Sequence, residues 1–460
     1  MICELLSLSI ALAKPAFHAD LTIDNFQPGD VVSYPVVIVN GSADGPEMAI
    51  GASWNTAIRF PVANHRYTAI VELKPGKNMV LLHSGTSTMK FRLDYKPATT
   101  PYKVYAVYLT ASDAGETYYT TDKNDKFAIR RKFDVALKLL QAFTADAMNR
   151  AGYGRKSFSL ELDHDGRVIT HFIKSPHKAD ELRALDGNGI YSHAYDVVKS
   201  HFQESNSKWC CITGFTNFDP LTKKTSGHLA LGGGAQGCFG SGSMQWWPET
   251  LKEVPRVFAN TTFLDPEKTF EDSAFRKTVW ANVSTAFGAM LHEMGHTFGL
   301  PHSLDPFSVM SRGFDHFNRS FCSIEPPVAG KADPIQFTQD QLTRWDPFFA
   351  ARLNYSPWFQ ADAPASNKAP EAPNAPAIRF DGDDVVIDAA YGIRVAGSHN
   401  DGIQDWFVEY KTGDLPKKLK LSRKDLRSKM KDTKETFQIV VIDNNGQQAQ
   451  IDDKLPAGGN

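Results

Sequence analysis

The chain reads as a multidomain α+β protein. A central α+β unit, with a mixed twisted sheet and long helices, is flanked by small all-β, sandwich-like modules. Three observations carry this reading. Short apolar runs punctuated by Gly, Pro and Asn fill positions 20–98. Between 102 and 358, strand-like runs alternate with apolar stripes of helical period. After a Pro/Ala-rich stretch over 360–377, strand-like text returns over 378–455. A length of 460 residues accommodates two or three domains.

Taken in order, Met1 to Ala13 is an apolar run ending in Ala11-Leu12-Ala13, a small-residue cleavage pattern, although Glu4 stands where a basic residue is usual. Positions 1–19 are therefore expected to be a signal peptide and lead-in. Over 20–98, Val36–Val39 and Ile70–Leu73 read as strands, and Lys74-Pro75-Gly76-Lys77-Asn78 is turn chemistry. Met89, Phe91, Leu93 and Tyr95 alternate with charged residues, as in a half-buried strand. Such a module suits either a carbohydrate or protein partner, or a plain spacer.

The central unit opens with a strand at Val104–Leu109 and a helix over Phe127–Arg150 with one apolar side. Strands are expected at Phe158–Leu162, Lys208–Thr213 and His228–Leu231, the last running into Gly232-Gly233-Gly234. A helix is expected over Phe275–Phe298, and a final one from the capping box Thr338–Gln341 toward Leu353. Trp246 and Trp247 precede the long helix and belong to a core or a cleft wall. In the last module Val385–Ile387, Ile393–Val395, Trp406–Tyr410 and Phe437–Ile442 read as strands, with Asn445-Gly446 as a hairpin turn.

The chemistry is concentrated in His292-Glu293-Met294-Gly295-His296-Thr297-Phe298-Gly299-Leu300-Pro301-His302. Two His spaced by four fall on one helix face. Gly299 can take positive φ, end the helix and turn the chain back, bringing His302 to the same place. Three neutral imidazoles hold Zn2+, one per chain, and leave a fourth position to water, the pattern of a catalytic site. Glu293 lies between the ligands as a candidate general base. Ser308-Val309-Met310-Ser311 can form a tight turn that sets Met310 beneath the metal.

These residues resemble the metzincin zinc peptidases, and the layout is similar to a family of putative eukaryotic zinc metallopeptidases in which a sandwich-like module precedes the protease. The resemblance covers roughly positions 102–355. It implies a zinc-dependent endopeptidase with His292, His296 and His302 as ligands, Glu293 as base and Met310 as a hydrophobic floor. It also implies that the strand before the active-site helix, His228-Leu229-Ala230-Leu231, is a sheet edge that docks an extended polypeptide by main-chain hydrogen bonds. Ser303 after the third ligand matches the matrix-metalloprotease branch, but no cysteine-switch segment is seen. Arg312 stands where some of these enzymes carry a Tyr.

Composition narrows the partners. With 42% apolar and 22% charged residues and a net charge of −2, nothing draws the chain to nucleic acid, and no segment is long and apolar enough to span a bilayer. The basic run Lys417–Lys434 lacks interleaved aromatic residues and reads as a solvated face. With Cys3 removed, Cys210, Cys211, Cys238 and Cys322 remain. Adjacent residues on a strand point apart, so either Cys210 or Cys211 pairs with Cys238 and the other with Cys322, or all four are free thiols. Secretion is expected, with a cytoplasmic enzyme as the alternative if Met1–Ala13 is no signal. Two rival functions share the motif: a zinc amidase or glycoprotein-directed hydrolase, and a non-catalytic glycan-binding adhesin.

Overall fold

The computed structural model describes residues 21–120, 124–202, 206–362, 374–400, 403–428 and 436–454. The expected signal segment lies outside these residues, as does most of the Pro/Ala stretch. Among the described residues no helix is long and apolar enough to cross a membrane. The chain forms a multidomain α+β structure with a mixed central sheet and several smaller β-sheets.

The first seven strands are β1 (Val31–Val32), β2 (Val36–Ser42), β3 (Glu47–Ala52), β4 (Ile58–Ala63), β5 (Arg66–Glu72), β6 (Gly76–Ser84) and β7 (Ser87–Tyr95). They hydrogen-bond in the order β1-β7-β6-β3-β4-β5-β2, with β4 pairing β3 through Ile58–Pro61 and β5 through Val62–Ala63, so that it joins the β5-β2 pair to the other strands. Strand β7 shows why it forms: Phe91, Leu93 and Tyr95 are buried while Lys90 and Arg92 face water. Edge strand β2 opens with the buried apolar run Val36–Val39, and helix α1 (Lys126–Arg150) packs on this strand. Asp125 caps α1 by accepting the amides of Phe127 and Ala128.

The central sheet contains β8 (Lys103–Thr110), β9 (Thr170–Lys174), β10 (Ser207–Thr213), β13 (Ala230–Gly233) and β14 (Gln236–Gly240), with a hairpin of β11 (Asn217–Asp219) and β12 (Lys224–Ser226) between β10 and β13. Its order is β13-β14-β10-β8-β9. β14, β10, β8 and β9 run parallel, and β13 returns antiparallel at the outer edge. Alternation serves two cores. Ala106, Tyr108, Cys210 and Ile212 join the main core with α1. Val107, Leu109, Trp209 and Cys211 pack on the opposite face. There they meet Ile190, Ala194 and Val198 of helix α3 (Gly187–Lys199), which follows the short α2 (Ala179–Arg183). All four described cysteines are free and buried, so the disulfide expectation is corrected. Cys210 and Cys211 do face apart, but Cys211 sits in register with Cys238 as a thiol.

Three other expectations shift. Phe158–Leu162 forms only isolated bridges, from Leu160 to Val104 and from Leu162 to Val168, and the paired strand there is β9. After the short helix α4 (Val254–Val257), the long helix α5 runs over Val279–Thr297 rather than from Phe275. Phe275 and Lys277 hold positive φ, which no helix accommodates. The capping box Thr338–Gln341 closes a single 3-10 turn, and helix α6 begins later, at Pro347–Tyr355. Pro at the first turn suits that start, because its missing N–H would have had no partner.

Strands β15 (Ala377–Asp381), β16 (Asp384–Asp388) and β19 (Lys418–Ser422) make one terminal sheet; β18 (Ile403–Glu409), β17 (Ile393–Asn400), β20 (Thr436–Asp443) and β21 (Gln448–Lys454) make another. Val385, Ile387, Ile393, Ile439 and Val441 form a core of their own with Leu426 of helix α7 (Arg423–Ser428). Val395, Val440 and Ile442 instead enter the main core. In the basic run, Lys420 pairs with Asp384, and Arg423 and Arg427 with Asp453.

Candidate metal centre

Helix α5 is buried at every position except His296, so it is a core helix that carries its polar residues inside. His292 and His296 lie one turn apart with ring centroids 4.7 Å from each other. Gly299, at φ +80, ends the helix and reverses the chain. His302 then returns to within 4.7 Å of the His296 ring and 5.2 Å of the His292 ring. Ligand atoms of the three imidazoles lie within 4.8 Å of one another, and the group could hold a metal ion.

The orientation of the rings tests that fit. His292 Nδ1 lies 2.8 Å from the Val309 carbonyl and His296 Nδ1 lies 2.8 Å from the Leu300 carbonyl. A carbonyl only accepts, so both Nδ1 atoms carry the proton and both Nε2 atoms present lone pairs. Those Nε2 atoms are 3.1 Å apart. Two facing lone pairs repel unless a cation sits between them. Tetrahedral zinc with Zn–N of roughly 2.0–2.1 Å sets its ligands about 3.3 Å apart, close to this spacing. Burial pushes the pKa of His292 down to about 4 and lowers that of His296, keeping both rings in the neutral, ligating form.

Glu293 is 6% exposed, and burial alone raises its pKa to about 8. The sheet reaches it directly. A Cβ on Gly232 of β13 would stand 2.2 Å from the Glu293 carbonyl oxygen, so only Gly lets the edge strand lie on the helix at this point. The strand expected over His228–Leu231 runs over Ala230–Gly233. Leu229 is buried, and His228 is wedged between Phe239 and Phe270 with Nε2 3.8 Å from Asp272. Ala230 and Leu231 remain on the edge, whereas His228 and Leu229 lead into it.

Met310 is fully buried against the same helix, where a Cβ on Gly295 would approach its sulfur to 2.3 Å. The turn that carries it is closed by Ser311 N–H to the Ser308 carbonyl. Met310 also accepts the Ser303 amide at 2.8 Å, tying the turn to the residue after His302. Arg312, two residues on, pairs with Asp315 at 2.7 Å and covers Phe314, whose ring stands 5.3 Å from His292. Trp247 is core, edge-on to Phe287.

Sequence reasoning missed three supports. The buried carboxylate of Asp346 accepts from Ser303 Oγ at 2.5 Å and from Ser308 Oγ. Arg352 Nη2 donates to the Gly299 carbonyl at 2.6 Å. Lys208 Nζ donates to the carbonyls of Thr297 and Gly234, joining the end of α5 to the loop after β13. None has a local signature, since each acts on a segment far away in the chain.

The family described as "Putative peptidase family" matches residues 20–394. A "Putative zinc metalloproteinase" of Schizosaccharomyces pombe is 29% identical over 337 residues, covering 67% of this chain and 54% of that protein. A second, of Saccharomyces cerevisiae, is 25% identical over 388 residues, covering 74% of this chain and 55% of that protein. The chain thus spans about half the length of these relatives. Among solved structures, catalytically inactive OgpA from Akkermansia muciniphila, in complex with an O-glycopeptide, aligns over 77% of this chain and 92% of its own. Its identity is 16% and its TM-score 0.46, a likeness too slight to bear on mechanism.

Proposed function

We propose, from the premise that the chain belongs to the "Putative peptidase family" of putative eukaryotic zinc metallopeptidases, that it is a zinc-dependent endopeptidase of metzincin type. The observation that carries this reading is the pair of Nε2 lone pairs at 3.1 Å with a buried carboxylate between their residues in the chain. In this reading His292, His296 and His302 hold one zinc ion. Zinc bound there supplies a Lewis acid that brings the pKa of a water to roughly 7 and polarises a carbonyl.

The protein's own residues do the rest. Glu293 takes the proton of the attacking water and later delivers it to the leaving amine. Burial raises its pKa, which strengthens it as the acceptor of that proton. The Val309 and Leu300 carbonyls fix the tautomers of the ligands. Met310 provides an apolar floor. The edge strand Ala230–Gly233 would align an extended polypeptide by main-chain pairing, with specificity left to side-chain contacts. Secretion is part of the proposal and is checked by the N-terminal mass of protein from its native host.

The test is cleavage of a peptide library by the purified chain, with zinc content measured in parallel. Zinc-bound protein should cut peptides internally, stop when a chelator strips the metal and recover on adding zinc. A chain that takes up zinc but leaves every peptide intact, or cuts only short amides, would overturn the endopeptidase reading.

A further inference from the structure

The last helix of the central unit, α6, lies between the metal-site turn and the terminal sheet that contains β17 and β18. On one side it grips the turn at three points. Asp346 at its N-terminus holds Ser303 and Ser308, and Arg352 holds the carbonyl of Gly299. These flank His302 and precede Met310, so α6 fixes both ends of the segment that delivers the third imidazole.

On its other side the same helix is clamped by the terminal sheet. Phe348 stacks on Phe407 with centroids 5.4 Å apart. Gly397 passes so close that a Cβ there would sit 2.6 Å from the Phe348 ring. Glu409 accepts from Tyr355 Oη at 3.0 Å and from Tyr153 Oη at 2.8 Å. Gln448 Oε1 accepts from Arg352 Nη2 at 3.2 Å, the same nitrogen that holds Gly299. Arg352 is 2% exposed, and among the described residues its Nε and Nη1 have no hydrogen-bond partner. The guanidinium is therefore held in place by the turn and the sheet together, without a carboxylate.

We infer that the terminal β-sheet is a positioning element for the metal site: by clamping α6 it holds the Gly299–Met310 turn where His302 completes the ligand set. The inference rests on the zinc reading above. It gives the C-terminal unit a role other than binding a partner or spacing the chain.

The experiment uses the full chain and measures zinc affinity by competition with a chromophoric chelator, alongside amide hydrogen exchange. Gly397→Leu should push β17 from Phe348, speed exchange in α6 and in residues 299–311, and weaken zinc roughly 10- to 100-fold, as expected when groups behind a ligand are lost. Phe407→Ala should do the same less strongly, and Phe407→Leu should recover most of it. Tyr391→Ala, on an exposed side chain of the same unit, should change nothing. If Gly397→Leu does not fold, the Phe407 pair decides. Faster exchange in α6 with zinc affinity within twofold of the unaltered chain would overturn the inference. Failure of the unaltered chain to take up zinc would instead sink the zinc reading, and the inference with it.

Discussion

The two β-rich ends of the chain look alike as sequence, yet they attach to different elements of the central unit. The N-terminal sheet packs apolar residues of β2 and β5 into one core with α1 and adds a charged link, with Lys138 Nζ of α1 2.8 Å from Glu72 of β5 and 3.0 Å from Asp134 of its own helix. The C-terminal sheet meets α6 through stacked rings and glycine contacts, and α6 in turn holds the histidine-bearing turn. The difference teaches that the role of a flanking unit is set by the element it touches. Composition and strand pattern do not reveal it.

The first way to sharpen the comparison is to remove the chemistry while both attachments stay intact. Glu293→Ala should lower peptide cleavage by roughly 10²–10⁴-fold, the usual worth of a general base. Zinc content and melting temperature should barely move. This change fixes the full scale against which either attachment is judged; a variant as active as the parent would remove Glu293 from the mechanism.

A smaller effect should come from cutting the C-terminal support where it touches the turn. Asp346→Ala leaves two buried hydroxyls, Ser303 and Ser308, without their acceptor. Zinc affinity should fall roughly 10- to 100-fold, and stability by roughly 1–3 kcal/mol. Chelator competition and urea unfolding measure the two. Unchanged affinity would mean that the turn holds itself.

The matching break at the N-terminal junction is Lys138→Met. It strands Glu72 and Asp134, whose side chains are 31% and 23% exposed. Breaking a fully buried pair costs roughly 3–5 kcal/mol, and partial hydration of these carboxylates should bring the loss below that. Zinc affinity should stay within error of the parent. A loss of affinity matching that of Asp346→Ala would erase the distinction between the two ends.

The same contrast explains what could be read beforehand. His292, His296, Gly299, His302 and Met310 lie within one short stretch, so helix periodicity and one turn residue were enough to bring them together on paper. Strands β2, β7, β8 and β10 announced themselves by alternation or by apolar runs. Asp346 and Arg352 did not, because they act on Ser303, Ser308 and Gly299 only after the chain has doubled back. The helix predicted from Thr338 failed for the same reason. Arg344 is drawn into pairing with the turn, its amide donating to the Phe307 carbonyl and its carbonyl accepting from Val309, so the chain stays extended until Pro347. The expected stretch Phe158–Leu162 is similar, an alternating run that makes isolated bridges at Leu160 and Leu162 while β9 takes the paired place beside β8.

The smallest expected effect is a pH dependence from the lysine that links edge strand and helix. Lys208 is buried with its ammonium on the carbonyls of Thr297 and Gly234 and 4.7 Å from the Trp358 ring. Burial lowers its pKa to about 8 from the ordinary 10.5. Between those values the unfolded chain binds more protons than the folded one, so stability rises with pH across that window. The burial cost is fully present below pH 8 and is relieved as Lys208 loses its charge. Lys132, held on the Trp247 carbonyl and also lowered to about 8, adds a slope of the same sign. Buried Cys210, Cys211 and Cys322, all raised, oppose both above about pH 9, and buried tyrosines such as Tyr95, raised to about 12, do so above about pH 10, since the folded state then keeps their protons. Urea midpoints of the metal-free chain should therefore climb from pH 8 toward 9 and level off above it. Lys208→Met, which fills the space without a charge, should flatten part of that climb and leave the remainder to Lys132. A slope identical in parent and variant would show that Lys208 keeps its proton in the fold, with the helix-end carbonyls stabilising the ammonium more than burial penalises it.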